Sequence, residues 1–373
     1  MARRTTPPFR ADHVGSLLRP ANLLEARTKH AQGELSLEEL RSVEDDAIRD
    51  VVRMQRDIGL QTATDGEFRR TSWHMDFIYQ LQGVSKTDEK IRVEMHNAAG
   101  DVAFTSAALT VDGRIDIDGP IFGADFQFLQ SVVEDGQTPK LTIPSPSMVH
   151  YRGGAAAIDK SVYPDEDVFW DDLSAAYAKQ VAAIADLGGT YLQLDDTSLA
   201  YLNDPAQRAQ LSSQGRDAEH QHERYIRQIN AAISGRPESL SVTTHMCRGN
   251  YRSSWAAEGG YDFVAEALFG QLDVDGFFLE YDDSRSGDFA PLRYVPEGKQ
   301  VVLGLVTSKR PELESKDDLK RRIDEAAKYV PLEQLCLSPQ CGFSSTVEGN
   351  ALTRDEQIAK LELIVETATE VWG

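Results

Sequence analysis

Along the chain, short runs that open apolar and close on polar or small residues alternate with longer stretches whose apolar positions recur every three or four residues. The short runs are FRADHVGS (9–16), LQTATDGE (60–67), KLTIPSPS (140–147), GTYLQLDD (189–196), LSVTTHMC (240–247), DGFFLEYD (275–282), QVVLGLVT (300–307) and QLCLSPQC (334–341). SLEELRSVEDDAIRDVVRMQRDIG, DDLSAAYAKQVAAIADLGG and KDDLKRRIDEAAKYVP carry helical spacing, the last with Leu319, Ile323, Ala326 and Ala327 on one face. Eight strands in β-then-α order predict an α/β protein, a single (β/α)8 TIM-type barrel spanning residues 1–373 as one catalytic domain. Residues 93–135 break the alternation. They predict an inserted antiparallel β-hairpin that turns at Asp112-Gly113.

A barrel of this kind gathers its chemistry where strands end. His13, Asp65, Glu67, Asp195, Asp196, His245, Cys247, Glu280 and Cys341 all fall at such ends. His245 and Cys247 are separated by one residue, so on an extended segment their side chains point the same way. Thiolate beside imidazole suits Zn²⁺, and Cys341 and Glu280 offer two further ligands from neighbouring strand ends. The plainer reading is that H-x-C is coincidence and the cysteines are small buried hydrophobes. For Cys336, inside its run, that plainer reading is preferred.

Composition narrows the function classes. With 373 residues, 41% of them apolar, the chain has material for a large core. A net charge of −21 argues against nucleic-acid or anionic-membrane partners. Three cysteines without framework spacing predict a reducing, cytoplasmic setting. The N-terminal residues contain two arginines but no apolar stretch of the secretory type, and no window reads as a membrane span.

Taken together, TDGEF, YLQLDD, THMC, FFLEYDDSRS and LCLSPQCGF resemble the catalytic barrel of cobalamin-independent methionine synthase, most closely its short single-barrel relatives. The resemblance runs from HVGSLLRP to SPQCGF. It implies Zn²⁺ held by His245, Cys247, Glu280 and Cys341, in agreement with the strand-end set. It also implies a homocysteine site built from Gly15, Ser16, Glu67 and Asp195. There the two carboxylates would hold the ammonium, while Ser16 and backbone N–H groups hold the carboxylate. Salt bridges to Arg69, Arg70 or Arg248 are the plainer role for Glu67 and Asp195. The implied activity is that of a 5-methyltetrahydropteroyltriglutamate–homocysteine S-methyltransferase. A zinc-bound thiol is deprotonated and attacks the methyl of a small-molecule donor, with Asp195 and Glu280 in catalytic roles and Glu280 the ligand displaced.

Three departures from the family pattern bear on the donor. A chain of this length has no room for the second, N-terminal barrel of the full-length synthases. LTIPSPSMVHY lacks the tryptophan that the family's folate pocket places there. Thr307 stands where the family has a proton-transferring histidine, leaving His13, His74 and His150 as candidate acids. Trp73, Tyr151 and Trp255 are candidates for a rebuilt donor pocket. The donor is thus a methylfolate or another methyl carrier, such as a corrinoid protein. The competing readings are alkyl transfer to another thiol, as in epoxyalkane:coenzyme M transferases, a non-catalytic zinc- or thiol-binding barrel, and a metal-free barrel of the uroporphyrinogen-decarboxylase type.

Overall fold

The computed structural model describes residues 4–97, 100–151 and 153–373. Ten strands are present among them: β1 (Thr62–Ala63), β2 (Gln82–Asn97), β3 (Gly100–Asp116), β4 (Thr138–Pro139), β5 (Leu141–Pro144), β6 (Tyr191–Asp196), β7 (Ser241–Met246), β8 (Gly276–Glu280), β9 (Gln300–Val306) and β10 (Leu335–Pro339). Strands β5 to β10 form one six-stranded sheet in sequence order, every pair parallel. Helices cover it, so its strands are buried throughout and read as near-continuous apolar runs rather than alternating ones.

Two further segments extend this sheet at its ends. Lys140 N donates to Ala63 O at 2.9 Å, joining the β1–β4 pair to the β5 edge. At the other edge Ala11 bridges Leu337 in parallel, with Asp12 N donating to Leu337 O at 3.0 Å. The 9–16 and 60–67 runs, expected as full strands, are therefore a single bridge and a two-residue strand. Side chains take over where the ladder stops.

The centre of that substitution is Asp12. One carboxylate oxygen accepts from His13 N (2.8 Å) and the Thr62 hydroxyl (2.9 Å), the other from Phe9 N and the Tyr191 hydroxyl (both 3.0 Å). The wholly buried Lys140 ammonium stands 3.6 Å away and donates to His13 O at 2.7 Å. One ion pair thus ties the first segment to β1, β5 and β6.

The helices form for the expected reasons. Residues Leu37–Ile58 start on a Ser36–Glu39 capping box, stop at left-handed Gly59, and bury Leu40, Ala47, Ile48, Val51 and Val52 on one stripe. Lys316–Ala326 buries Leu319, Ile323 and Ala326 as the spacing predicts.

The hairpin expectation needs correcting in position. The antiparallel pair is β2–β3, so it begins before residue 93, and the expected segment's last part is a helix at Gly123–Val132. Asp112-Gly113 is not the turn; both lie in β3, and β2 ends at Asn97 facing Gly100. Gly113 is there because Gly83 crosses it: a Cβ on Gly113 would stand 3.0 Å from the Gly83 Cα, at a register irregularity. No helix among the described residues is long and apolar enough to cross a membrane.

Removing the Asp12 carboxylate strands a buried ammonium. Asp12→Ala is expected to lower the unfolding free energy by about 3–5 kcal/mol, read as a fall in the urea midpoint. Adding Lys140→Met should recover part of the loss; no recovery would mean that the two charges are not coupled.

Candidate functional site

Parallel register brings the ends of β6, β7 and β8 level, with Asp195 opposite His245 and Glu280 opposite Gly304. His245 is the next-to-last residue of β7, Cys247 follows the strand end, Glu280 closes β8 and Cys341 lies just beyond β10. One ligand atom from each of these four lies within 4.8 Å of the others, and all four residues are buried. The two sulfurs are 3.5 Å apart. Two thiolates on a tetrahedral Zn²⁺ with bonds near 2.3 Å would be separated by about 3.8 Å. Neither ring nitrogen of His245 has a hydrogen-bond partner, nor has Glu280 Oε1. Buried polar atoms left this way cost roughly 1–3 kcal/mol each. A divalent cation at the centre of the set would satisfy one His245 nitrogen and Glu280 Oε1.

Electrostatics point the same way. Facing Cys247 holds the Cys341 thiol well below the ordinary range, despite burial, while the same contact and burial push Cys247 well above it. Burial raises Glu280. Two buried cations stand behind the ligands. Arg248 gives its backbone N–H to Glu280 Oε2 (3.3 Å), while its guanidinium reaches Gly259 O and the Tyr261 hydroxyl. The Lys309 ammonium has no hydrogen-bond partner, and although burial pulls it down, Glu280, Asp282 and Cys341 carry its pKa upward.

His245, Cys247 and Cys341 line a cavity of about 320 Å³ together with Ser16, Glu67 and Asp195. Glu67 sits at φ 60, in the left-handed region, with its N–H held by Asp65 Oδ1 at 2.9 Å. Such strain costs about 1–3 kcal/mol and marks a side chain aimed for a purpose. Glu67 Oε1 accepts from Thr142 (2.8 Å) and lies 3.6 Å from Arg70, whereas buried Oε2 has no partner. The salt-bridge role for Glu67 is thus real but occupies one oxygen only. Asp195 accepts from Gln193 (2.6 Å) and forms no ion pair with Arg69, Arg70 or Arg248. Burial, with a contribution from Glu67, pushes its carboxyl up to about 7. Its neighbour Asp196 is different: Ser145, Ser147, Ser198 and Leu199 N saturate it. Gly15 is at φ 153, and a Cβ there would stand 2.7 Å from Thr142 Cγ2, so only glycine lets this backbone pass beside Glu67.

The remaining candidates separate cleanly. His74 and Trp73 line the cavity. Burial lowers His13 to about 4 and His150 to about 3; His150 packs on Trp170 and Tyr225, in the core. Tyr151 lines a neighbouring cavity and Trp255 neither one. Trp255 instead exchanges backbone hydrogen bonds with His96 (2.6 and 2.8 Å), tying β2 to the segment after Cys247, while Met95 and Ala107 roof the cavity. Cys336 is core, as expected, its thiol raised by burial to about 11. Thr307 is buried away from the cavity, its N–H on Glu314.

Three residues escaped the sequence reading. Buried Arg19 donates to Ser344 O, Thr346 O, Glu67 O and Arg70 O, binding the Glu67 loop to the loop after Cys341. Asn250 reaches Gly342 O at 2.7 Å. Lys309 is the third, and only its place beside Thr307 could have drawn attention to it.

The chain is similar to known proteins along its whole length. Residues 138–370 match the family model described as cobalamin-independent synthase, catalytic domain. An uncharacterized protein of Bacillus subtilis (strain 168) is 48% identical over 372 residues, covering 99% of this chain and 96% of its own. A structure from Listeria monocytogenes, provisionally described as a vitamin-B12 independent methionine synthase, superposes with TM-score 0.79 at 41% identity, covering 99% of this chain and 100% of its own. A B12-independent methionine synthase from Shewanella sp. W3-18-1, in complex with selenomethionine, shares the fold with TM-score 0.72 at 20% identity, covering 97% of each chain.

In metal-free protein the thiols should differ sharply in reactivity. Cys341 is expected to be alkylated by iodoacetamide at pH 7 at least about tenfold faster than Cys336. Peptide mapping by mass spectrometry reads the order, and equal rates would contradict the site's electrostatics.

Proposed function

Because this chain belongs to the cobalamin-independent methionine synthase family and is a methyltransferase, we propose that it transfers a methyl group to the thiol of homocysteine, giving methionine, with Zn²⁺ held by His245, Cys247, Glu280 and Cys341. The observation that carries this reading is the buried four-residue set, with Glu280 Oε1 unpartnered, of which His245, Cys247 and Cys341 line a cavity beside the Glu67 and Asp195 carboxylates. Bound there, the metal would lower the thiol's pKa so that it is a thiolate at neutral pH.

The chain's own residues do the rest. Glu67 Oε2 and the Asp195 carboxylate hold the homocysteine ammonium, a pairing that relieves the burial of both acids. Ser16 is placed to hold the amino-acid carboxylate: its oxygen accepts from Ser344 N at 3.3 Å, which leaves its proton free to donate. A Cβ on Gly342 would fall 2.0 Å from that oxygen, so glycine there keeps the Ser16 hydroxyl in place. Arg248 and Lys309 offset negative charge at Glu280, the ligand best placed to yield to the thiol. Arg19 keeps the Glu67 and Cys341 loops at a fixed separation. In the reaction a sulfur–methyl bond forms while the donor's bond to the same methyl breaks.

We further read the ring of segments around the sheet as a closed (β/α)8 barrel in a single domain of residues 1–373. Three unpaired cysteines suit a cytoplasmic setting. An ammonium-binding acid pair favours homocysteine over coenzyme M, which has no ammonium.

Elemental analysis should find about one zinc per chain, lost in Cys341→Ser; a wild type without zinc would end the proposal. Glu67→Gln and Asp195→Asn should keep the zinc yet raise the KM for homocysteine at least about tenfold. Asp195 must be ionised to pair with an ammonium. Methionine binding should therefore strengthen as pH rises through neutrality, and calorimetry should find that dependence flattened in Asp195→Asn.

A further inference from the structure

We infer that the cavity adjoining the metal set is a subsite for the arm of a methylated-folate donor, an aminobenzoyl ring joined by an amide to glutamate, and that Arg216 takes the glutamate carboxylate. The inference rests on the assignment of the first cavity to methyl transfer onto homocysteine.

The first cavity has little room for a whole donor of that length. Its volume of about 320 Å³ lies at the small end of the roughly 300–1,000 Å³ that takes one ligand, and the thiol substrate fills part of it. A second cavity of about 460 Å³ lies beside it. Tyr201 lines both, at the end of the short helix Ser198–Tyr201 that follows β6. Its hydroxyl stands 2.9 Å from the Cβ that Gly249 lacks, next to the first cavity. One face of β2 also spans the pair: Met95 lines the first cavity and Val93 the second, two residues and so about 7 Å apart. A long ligand lying along this face and past Tyr201 enters both.

The second cavity has the chemistry of that arm. Tyr151 meets Tyr201 edge-on, ring centroids 5.7 Å apart, so the aminobenzoyl ring finds aromatic surface where the cavities adjoin. Gln207, Gln210 and Gln214 follow at three- and four-residue spacing along the helix Pro205–Ser213 and its C-cap. Their amides suit a peptide group or a carboxylate, although Gln207 also reaches Ala256 O at 3.3 Å. Arg216 is the only arginine or lysine among the described lining residues. Its guanidinium is fixed by Tyr151 O (2.9 Å) and the Tyr225 hydroxyl (3.3 Å), while the adjacent Asp217 turns to His220. Among the described residues no acid forms an ion pair with Arg216, which leaves its charge for a carboxylate from outside. The two acids of the wall are otherwise engaged. Asp204 accepts from Ala206 N (2.8 Å) and Glu258 N (3.0 Å), and Glu94 is exposed, where water and salt screen it. One cation matches one carboxylate, so further glutamates on the arm add little.

The test uses zinc-loaded protein and calorimetry with p-aminobenzoylglutamate, the arm alone, and p-aminobenzoate, the arm without its glutamate. The wild type should bind the first saturably, and about tenfold or more tighter than the second. Arg216→Gln should remove that difference and raise the KM for 5-methyltetrahydrofolate about tenfold, with the KM for homocysteine within about twofold of wild type. Because Arg216 also braces Tyr151 and Tyr225, Gln210→Glu gives an independent check at an exposed helix position. Like charge there should weaken binding of the arm about threefold or more without moving the urea midpoint. The triglutamate form of the folate should bind within about threefold of the monoglutamate. Unchanged binding of the arm in Arg216→Gln overturns the subsite, as does a loss only in Arg252→Gln, whose exposed guanidinium lies over Tyr251 of the first cavity. A triglutamate bound about tenfold or more tighter overturns the match to one carboxylate. Where the isolated arm does not saturate, the KM for the whole folate decides, and no change in Arg216→Gln and Gln210→Glu overturns the inference. Failure of the underlying reading looks different: no zinc is retained, or homocysteine does not bind.

Discussion

Crowding of negative charge is the constraint to which the rest of this structure answers. The ends of the strands gather Glu67, Asp195, Glu280, Cys247 and Cys341 as buried groups, where ionised forms repel one another and are poorly solvated. Burial raises the pKa values of Glu67, Asp195 and Glu280, and the contact with Cys341 together with burial raises that of Cys247. The fold supplies part of the compensation from behind, through Arg70, Arg248 and Lys309. The remainder is left on buried carboxylate oxygens without hydrogen-bond partners, Glu67 Oε2 and Glu280 Oε1. The proposed metal and the ammonium of the proposed substrate would each offset this imbalance.

Lys140 shows the same logic at the other level of the sheet. Its ammonium lies fully buried between Asp12 and the rings of Phe278 and Tyr191, and burial lowers its pKa. There the charge replaces backbone ladder bonds that the short first segments do not make. One buried ion pair therefore shapes the sheet's margin and another group of charges shapes its mouth. The first is closed on itself and the second is open to ligands.

Much of this was legible because strand ends are a positional code. His245, Cys247, Glu280 and Cys341 could be picked out as one candidate set since each follows an apolar run, the family resemblance led to the same four, and the fold brings them together. The six parallel strands were legible because burial on both faces leaves an unbroken apolar signal. Where pairing depends on side chains, as at Asp12, or on two glycines passing each other, as at Gly83 and Gly113, the local pattern misleads. An Asp-Gly pair looks like a turn whether or not the chain reverses there. Arg19 and Lys309 were invisible for another reason: an arginine after a leucine pair, or a lysine in a loop, is normally a surface residue, and only the folded loops bury them.

The roof of the cavity belongs to an antiparallel pair, and in such a pair adjacent residues face opposite ways. Met95 points inward and is buried, while its neighbours Glu94 and His96 are more exposed. Backbone bonds from His96 to Trp255 pin that frame to the segment that begins just after Cys247. Inserting or deleting one residue ahead of Met95 would exchange a thioether for an acid or an imidazole at the cavity wall, with no intermediate state.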